Sequence, residues 1–172
     1  MNRSRLSLVY GNLIELAGTF VAFALIYYAP SIGGVYIKFA LYLLSLGCLI
    51  FFPHCLAHFI VGTIVGIKFD YYSIRESSIS RLNLPISGPR IPVLSLKVNR
   101  ESLKHTNPFG RAAMFASGAI VSVLLPFIVV ASALPNIPQL LGMLLLILAI
   151  ANAAFDLYYS PRAGDLSRMR TR

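Results

Sequence analysis

The sequence predicts an α-helical membrane protein with four transmembrane helices and a small β element between the second and third. Of its 172 residues, 57% are hydrophobic and only 12% are charged, and the mean hydropathy is +0.74. A typical soluble domain carries about 25% charged residues. We therefore expect residues 1–172 to form a single polytopic membrane domain rather than a soluble globule.

Four apolar segments are long enough to cross the hydrocarbon core of a bilayer, which takes about 20 helical residues. They cover residues 10–29, 35–67, 112–134 and 139–159. As a straight helix the second would reach about 50 Å, against a core of about 30 Å. Since proline cannot donate to the helix ladder, Pro53 predicts a break in this segment.

The polar middle segment, residues 68–111, carries the predicted β element. Residues 69–74 and 93–98 are short runs rich in aromatic or β-branched side chains, and Gly88-Pro89 and Pro92 lie between them. Short runs of this kind, separated by turn residues, are typical of paired strands. We expect a β-hairpin or small sheet at the membrane surface.

Basic residues predict the orientation in the membrane. Of the 15 Lys and Arg residues, all but Lys38 lie before the first span, between the second and third, or after the fourth. Cytoplasmic loops carry such an excess. The sequence therefore predicts a multi-pass protein of the cell membrane with both termini cytoplasmic. The net charge of +9 then reflects this bias and contact with membrane lipid, and no nucleic acid partner is expected.

His54 and His58 lie four residues apart in the second apolar segment. On a helix both imidazoles would project from one face about one turn apart. Two side chains at this spacing can bind one zinc ion, and an imidazole in a hydrocarbon environment is costly and usually functional. The same two histidines could instead bond to each other or to backbone carbonyls without a metal.

Three carboxylates are predicted at a similar depth. Asp156 and Asp165 lie at the end of the fourth span, where Pro161 and Gly164 argue against a regular helix. An irregular segment there could turn a carboxylate back towards a metal. Glu15 lies near the corresponding end of the first span. Asp165 could alternatively cap a short helix, and Glu15 could simply bond to a neighbouring helix.

The order and membrane placement of these motifs resemble the site-2 protease family of intramembrane zinc metalloproteases. The counterparts over nearly the whole chain are His54-Cys55-Leu56-Ala57-His58, Ser117-Gly118-Ala119, Phe155-Asp156-Leu157 and Pro161-Arg162-Ala163-Gly164-Asp165. The resemblance implies a site-2-protease-like core and zinc bound by His54, His58 and Asp165. It also implies that Asp156 lies in a substrate-binding position, and Asp156 is the alternative to Asp165 as the third ligand.

Cys55 is the largest departure from that family, which has a catalytic glutamate after the first histidine. Such a glutamate activates zinc-bound water and transfers its proton. A thiol is a poor substitute, because its pKa is near 8.5 and rises on burial. Cys55 by position and Glu15 by chemistry are therefore the two candidate catalytic groups, and the sequence leaves open whether Glu15 reaches the site.

Two functions remain open on these grounds. The resemblance predicts an intramembrane zinc metalloprotease that acts on membrane-embedded peptides, with weak or altered activity. The missing glutamate favours the alternative, a catalytically inactive pseudoprotease that binds a membrane-spanning peptide or protein partner, or is a subunit of a membrane complex. Metal transport is a weaker third interpretation, because four spans with few carboxylates offer no evident path for an ion.

Overall fold

The computed structural model describes residues 5–76 and 92–161. Five helices lie in this part of the chain: α1 (Leu8–Tyr28), α2 (Val35–Ile64), α3 (Arg100–His105), α4 (Pro108–Ala133) and α5 (Gln139–Tyr159). All except the six-residue α3 are long and apolar enough to cross a membrane. The prediction of four apolar spans is confirmed, and the chain has the helices of a multi-pass membrane protein.

Local capping determines where α1 and α4 begin. The Ser7 side chain accepts a hydrogen bond from the Tyr10 amide at 3.3 Å, and this bond satisfies one of the free N–H groups at the start of α1. The Asn107 side chain accepts one from the amide of Gly110. Pro108 occupies the first turn of α4, where its missing N–H costs nothing.

The predicted break at Pro53 is wrong, because α2 is continuous from Val35 to Ile64 with Pro53 inside it. Carbonyl groups near a helical proline lose partners, and in a membrane a neighbouring helix can supply new ones. Pro53 removes the amide donor to the Leu49 carbonyl, and the Ser122 hydroxyl of α4 donates to the neighbouring Ile50 carbonyl at 3.3 Å. With 30 residues, α2 is about 45 Å long, so it must tilt or extend beyond the hydrocarbon core.

α2 is the central helix of the bundle. It packs against α1 on one side and against α4 on the other, while α5 packs mainly against α4. One apolar cluster lies away from the sheet and includes Tyr42, Leu49, Val129 and Leu145. A second cluster, at the sheet end of the bundle, contains Ile67, Phe69, Met114 and Phe115.

A three-stranded antiparallel sheet covers one end of the bundle. Its strands are β1 (Arg5–Leu6), β2 (Phe69–Glu76) and β3 (Pro92–Val98), in the order β1-β2-β3. The paired strands β2 and β3 confirm the predicted β element between the second and third spans. The sequence pattern did not predict β1 or α3.

Tyr72 anchors this sheet to α1. Its ring is fully buried and lies against Gly11, where any Cβ atom would overlap the ring. The Tyr72 hydroxyl donates to Asn12 Oδ1 at 2.7 Å. Burial raises the pKa of this phenol above its ordinary value, so the hydroxyl keeps its proton and remains a hydrogen-bond donor.

Candidate metal centre

His54 and His58 lie on the face of α2 that packs against α4, between the two apolar clusters. Their Nε2 atoms are 3.2 Å apart, and the ring planes are nearly perpendicular at 87°. Two nitrogens bound to one tetrahedral zinc, each about 2.0–2.1 Å from the metal, lie about 3.3–3.4 Å from each other. The two histidines therefore already have the separation that a shared zinc ion requires.

The other ring nitrogen of His58 identifies its tautomer. Nδ1 lies 2.6 Å from the Met114 carbonyl oxygen, and a carbonyl can only accept, so Nδ1 carries a proton. The Ser117 hydroxyl donates to the same carbonyl at 2.8 Å. In the neutral ring, Nε2 of His58 must then carry a lone pair.

His54 is held by Ser122. Its Nδ1 lies 2.9 Å from Ser122 Oγ, whose single proton is used in the bond to Ile50. The Ser122 oxygen then accepts from Nδ1–H, which leaves a lone pair on Nε2 of His54 as well. The opposite assignment, with Ser122 donating to His54, would place a proton on Nε2 and join the two rings by an N–H···N bond.

A metal ion or a shared proton can join two Nε2 atoms that are 3.2 Å apart. Histidines that bind metals almost always donate their other ring N–H to a carbonyl, carboxylate or similar acceptor, which fixes the ring orientation. Both rings follow this pattern here, through Met114 and Ser122. The arrangement fits a shared metal ion, and a shared proton is the competing occupant.

Gly118 of α4 provides the room for the His58 ring. A Cβ atom at this position would overlap His58 Nε2 and lie 2.6 Å from its Cε1. Both contacts would be closer than 3.0 Å, a distance that real Cβ atoms essentially never show. Only glycine therefore allows α4 to pack against this imidazole at the observed distance.

The structure does not test the predicted third ligand. Asp165 lies outside the described residues. Asp156 is partly buried near the end of α5. Within residues 5–76 and 92–161, no three or more His, Cys, Asp and Glu side chains gather in a way that could hold a metal ion. Two of the three expected ligands converge, and the third stays a prediction.

Cys55 is 6% exposed, and its thiol donates to the Leu94 carbonyl of β3 at 3.4 Å. Successive residues of a helix project about 100° apart, so the thiol is directed to the sheet whereas the histidines are directed to α4. This contact ties α2 to β3. A catalytic role for Cys55 stays a prediction.

Glu15 approaches the same turn of α2 from the α1 side. It is 2% exposed, and its carboxylate lies against the backbone N–H groups of Leu56 and Cys55. Its Oε2 atom is buried and has no hydrogen-bond partner among the described residues. The structure brings Glu15 to the histidine-bearing turn but on a different side of α2, and its proposed role as a base stays a prediction.

The groups that orient the histidines were missed by the sequence reasoning. Ser117 and Ser122 supply hydroxyls from α4, and the Asn152 amide of α5 donates to the Ser122 backbone carbonyl at 3.0 Å. Polar side chains inside apolar spans are the signal that could have identified them. This signal identifies candidate polar residues. Which histidine or carbonyl each of them contacts depends on how the helices pack.

Comparison of the chain with protein-family models, with curated proteins and with solved structures finds no match. The resemblance to site-2 proteases therefore stays a prediction from the order of the motifs and their expected placement in the spans.

Proposed function

We propose that this protein is a membrane-embedded zinc protein of site-2-protease-like design whose activity is the slow hydrolysis of membrane-embedded peptides. One observation carries the proposal. The Nε2 atoms of His54 and His58 are 3.2 Å apart, and the partners of both Nδ1 atoms favour a lone pair on each Nε2. Two Nε2 atoms at this distance can bind one metal ion, and zinc is the metal that imidazole ligands in a hydrolytic site suit best.

His54 and His58 would hold zinc through Nε2, with Asp165 as the third ligand and Asp156 in contact with the substrate. When bound, zinc polarises a peptide carbonyl and lowers the pKa of water. The chain's own contribution is orientation, since Ser122 and the Met114 carbonyl fix both rings before any ligand arrives. The apolar clusters on either side keep the site in surroundings where charges interact strongly.

A non-catalytic function is the second candidate, and the Cys55 contact favours it. The helix position that carries the base in site-2 proteases here donates a thiol hydrogen bond to β3. A protein of this kind would keep the metal as a structural element and bind a membrane-spanning peptide or protein partner.

Zinc content is the direct test of the metal site. We expect about one zinc per chain in protein purified without chelators, and less than a tenth of that in His54→Ala, because one imidazole cannot hold the ion. Metal analysis of the detergent-purified protein measures both values. His105→Ala is the matched control, since His105 is exposed at the end of α3. A wild type without zinc, or equal losses in both variants, would refute the site.

The orientation in the membrane needs its own test. We infer that both termini and the sheet lie in the cytoplasm, from the basic residues at that end. In a background with Cys48→Ala and Cys55→Ala, a membrane-impermeant thiol reagent should label Gly33→Cys on intact cells. It should label Glu101→Cys only after permeabilisation. Gly33 lies in the connection between α1 and α2 and has open space around it. The reverse labelling pattern would invert the topology.

A further inference from the structure

Among the residues that the structure describes, six basic side chains lie at the end of the bundle that bears the sheet, and we call them the basic collar. They come from β1, the turn before β2, β3, α3 and α4, and they are Arg5, Lys68, Lys97, Arg100, Lys104 and Arg111. All are exposed or partly exposed. In sequence they are spread over about a hundred residues, so only the fold makes them one surface.

Backbone hydrogen bonds fix Lys68 beside α3. The Lys68 amide donates to Ser102 Oγ at 2.9 Å, and the Asn99 amide donates to the Lys68 carbonyl at 2.9 Å. Arg100 and Lys104 lie four residues apart on α3 and share one side of this short helix. Three cations of the collar are thus held close to one another by ordered backbone.

The sheet adds two further cations. The Arg5 guanidinium lies over the Tyr71 ring, 4.8 Å from its centroid, in a cation–π contact. Lys97 is the cross-strand partner of Tyr71. The aromatic ring therefore lies between two basic side chains, which positions both at the same end of the molecule as α3.

The depth of the collar follows from its connection to the spans. α3 ends at His105, and α4 begins at Pro108. Leu103 packs against the apolar cluster at the sheet end, whereas Phe109 is 83% exposed in the first turn of α4. An exposed apolar ring in the first turn of a span suits contact with lipid. Since α3 directly precedes this turn, its basic side chains would lie close to the lipid head groups.

Fewer acidic than basic side chains lie on this surface among the described residues. Glu101 is part of α3, and Asp70 accepts a hydrogen bond from the side-chain amide of Asn99 at 3.1 Å. Cations held next to a bilayer attract anionic lipids by about 1 kcal/mol for each Lys or Arg near the surface. Phosphate is the acceptor that Arg and Lys side chains suit at this depth.

We propose that the basic collar is a binding site for the head groups of anionic phospholipids, with Arg100 and Lys104 of α3 as its centre. This site is separate from the histidine pair and does not depend on whether the protein binds zinc or cleaves peptides. It goes beyond general attraction to a charged membrane, because the cations are fixed by the fold in one place.

The test is a lipid titration of the full-length protein in detergent, with bound lipid counted by native mass spectrometry. Phosphatidylglycerol should bind at least about tenfold more tightly than phosphatidylcholine. The double variant Arg100→Gln with Lys104→Gln should bind phosphatidylglycerol roughly 30-fold more weakly, since two charges are removed. Lys38→Gln is the matched control at the opposite end of the bundle, and its lipid binding should equal that of the wild type.

Each other outcome would overturn the proposal. Equal binding of the two lipids would do so, and so would an equal loss in Lys38→Gln. Displacement of phosphatidylglycerol by a short RNA at physiological salt would assign the surface to nucleic acid instead. Circular dichroism checks that the double variant folds. If the double variant does not fold, the wild type alone provides the test. Raising the salt concentration must then reduce its preference for phosphatidylglycerol, because added ions screen exposed charges.

Discussion

Cys55→Glu is expected to raise the rate of peptide cleavage by about 10²–10⁴-fold, the usual contribution of a general acid–base group. The substitution returns a carboxylate to the turn that carries both histidines. It also removes the thiol donor that bonds to Leu94. An ionised carboxylate cannot donate to that carbonyl. We therefore expect the glutamate side chain to turn away from Leu94, where the Cys55 thiol points. Cleavage of reconstituted single-span peptides by the zinc-loaded variants measures the effect.

Two further variants make this result interpretable. Cys55→Ala removes the thiol without adding a base, so a rate below that of the wild type would show that the thiol takes part in cleavage. A fast wild type that loses its rate in Glu15→Gln, but not in Cys55→Ala, would place the base on α1. If neither the wild type nor Cys55→Glu cleaves any peptide while zinc stays bound, the hydrolytic proposal is wrong and the non-catalytic function is favoured.

Gly118→Ala is expected to weaken zinc binding by about 100-fold, the upper end of the effects seen when groups around a metal ligand are changed. The new methyl group would overlap His58 Nε2. The ring would have to rotate or α4 would have to move away from α2, and either change breaks the Nδ1 bond to Met114. Competition with a chromogenic zinc chelator measures the affinity.

Gly47→Ala is the control for this substitution. Gly47 also lies inside a span, but nothing lies within 4 Å of a Cβ atom built there. Alanine also favours helix over glycine by about 1 kcal/mol, so α2 should be unharmed and zinc affinity unchanged. An affinity in Gly118→Ala equal to that of Gly47→Ala would mean that the His58 ring is not confined as described.

The large elements of the fold could be predicted from the sequence because each depends on its own composition. A membrane span needs only a long apolar run, and β2 and β3 carry their own aromatic and β-branched residues. β1 has two residues and exists through its pairing with β2. α3 is a short helix whose start depends on Asn99, which accepts from the Glu101 and Ser102 amides. Neither β1 nor α3 has a sequence pattern strong enough to predict it without the rest of the fold.

In the candidate site, too, the local features could be predicted and those that depend on another helix could not. The spacing of His54 and His58 predicted that the two rings would share a face, because helix geometry alone decides it. Their tautomers could not be predicted, since they depend on Ser122 and the Met114 carbonyl of another helix. Pro53 also depends on its surroundings, because α4 packs against α2 there and Ser122 donates to the Ile50 carbonyl beside the one that lacks the proline N–H.

The pairing of β1 with β2 has a consequence for the order of assembly during synthesis. Arg5 precedes the first span, yet its partner Ser73 follows the second. The N-terminal strand therefore emerges from the ribosome long before its partner exists. A nascent chain that ends before Phe69 also lacks the Tyr72 ring that fills the surface beside Gly11. Until β2 has been synthesised, α1 and α2 can pack only against each other. The contacts of β1 and of Gly11 form after β2 is made and before β3 is needed.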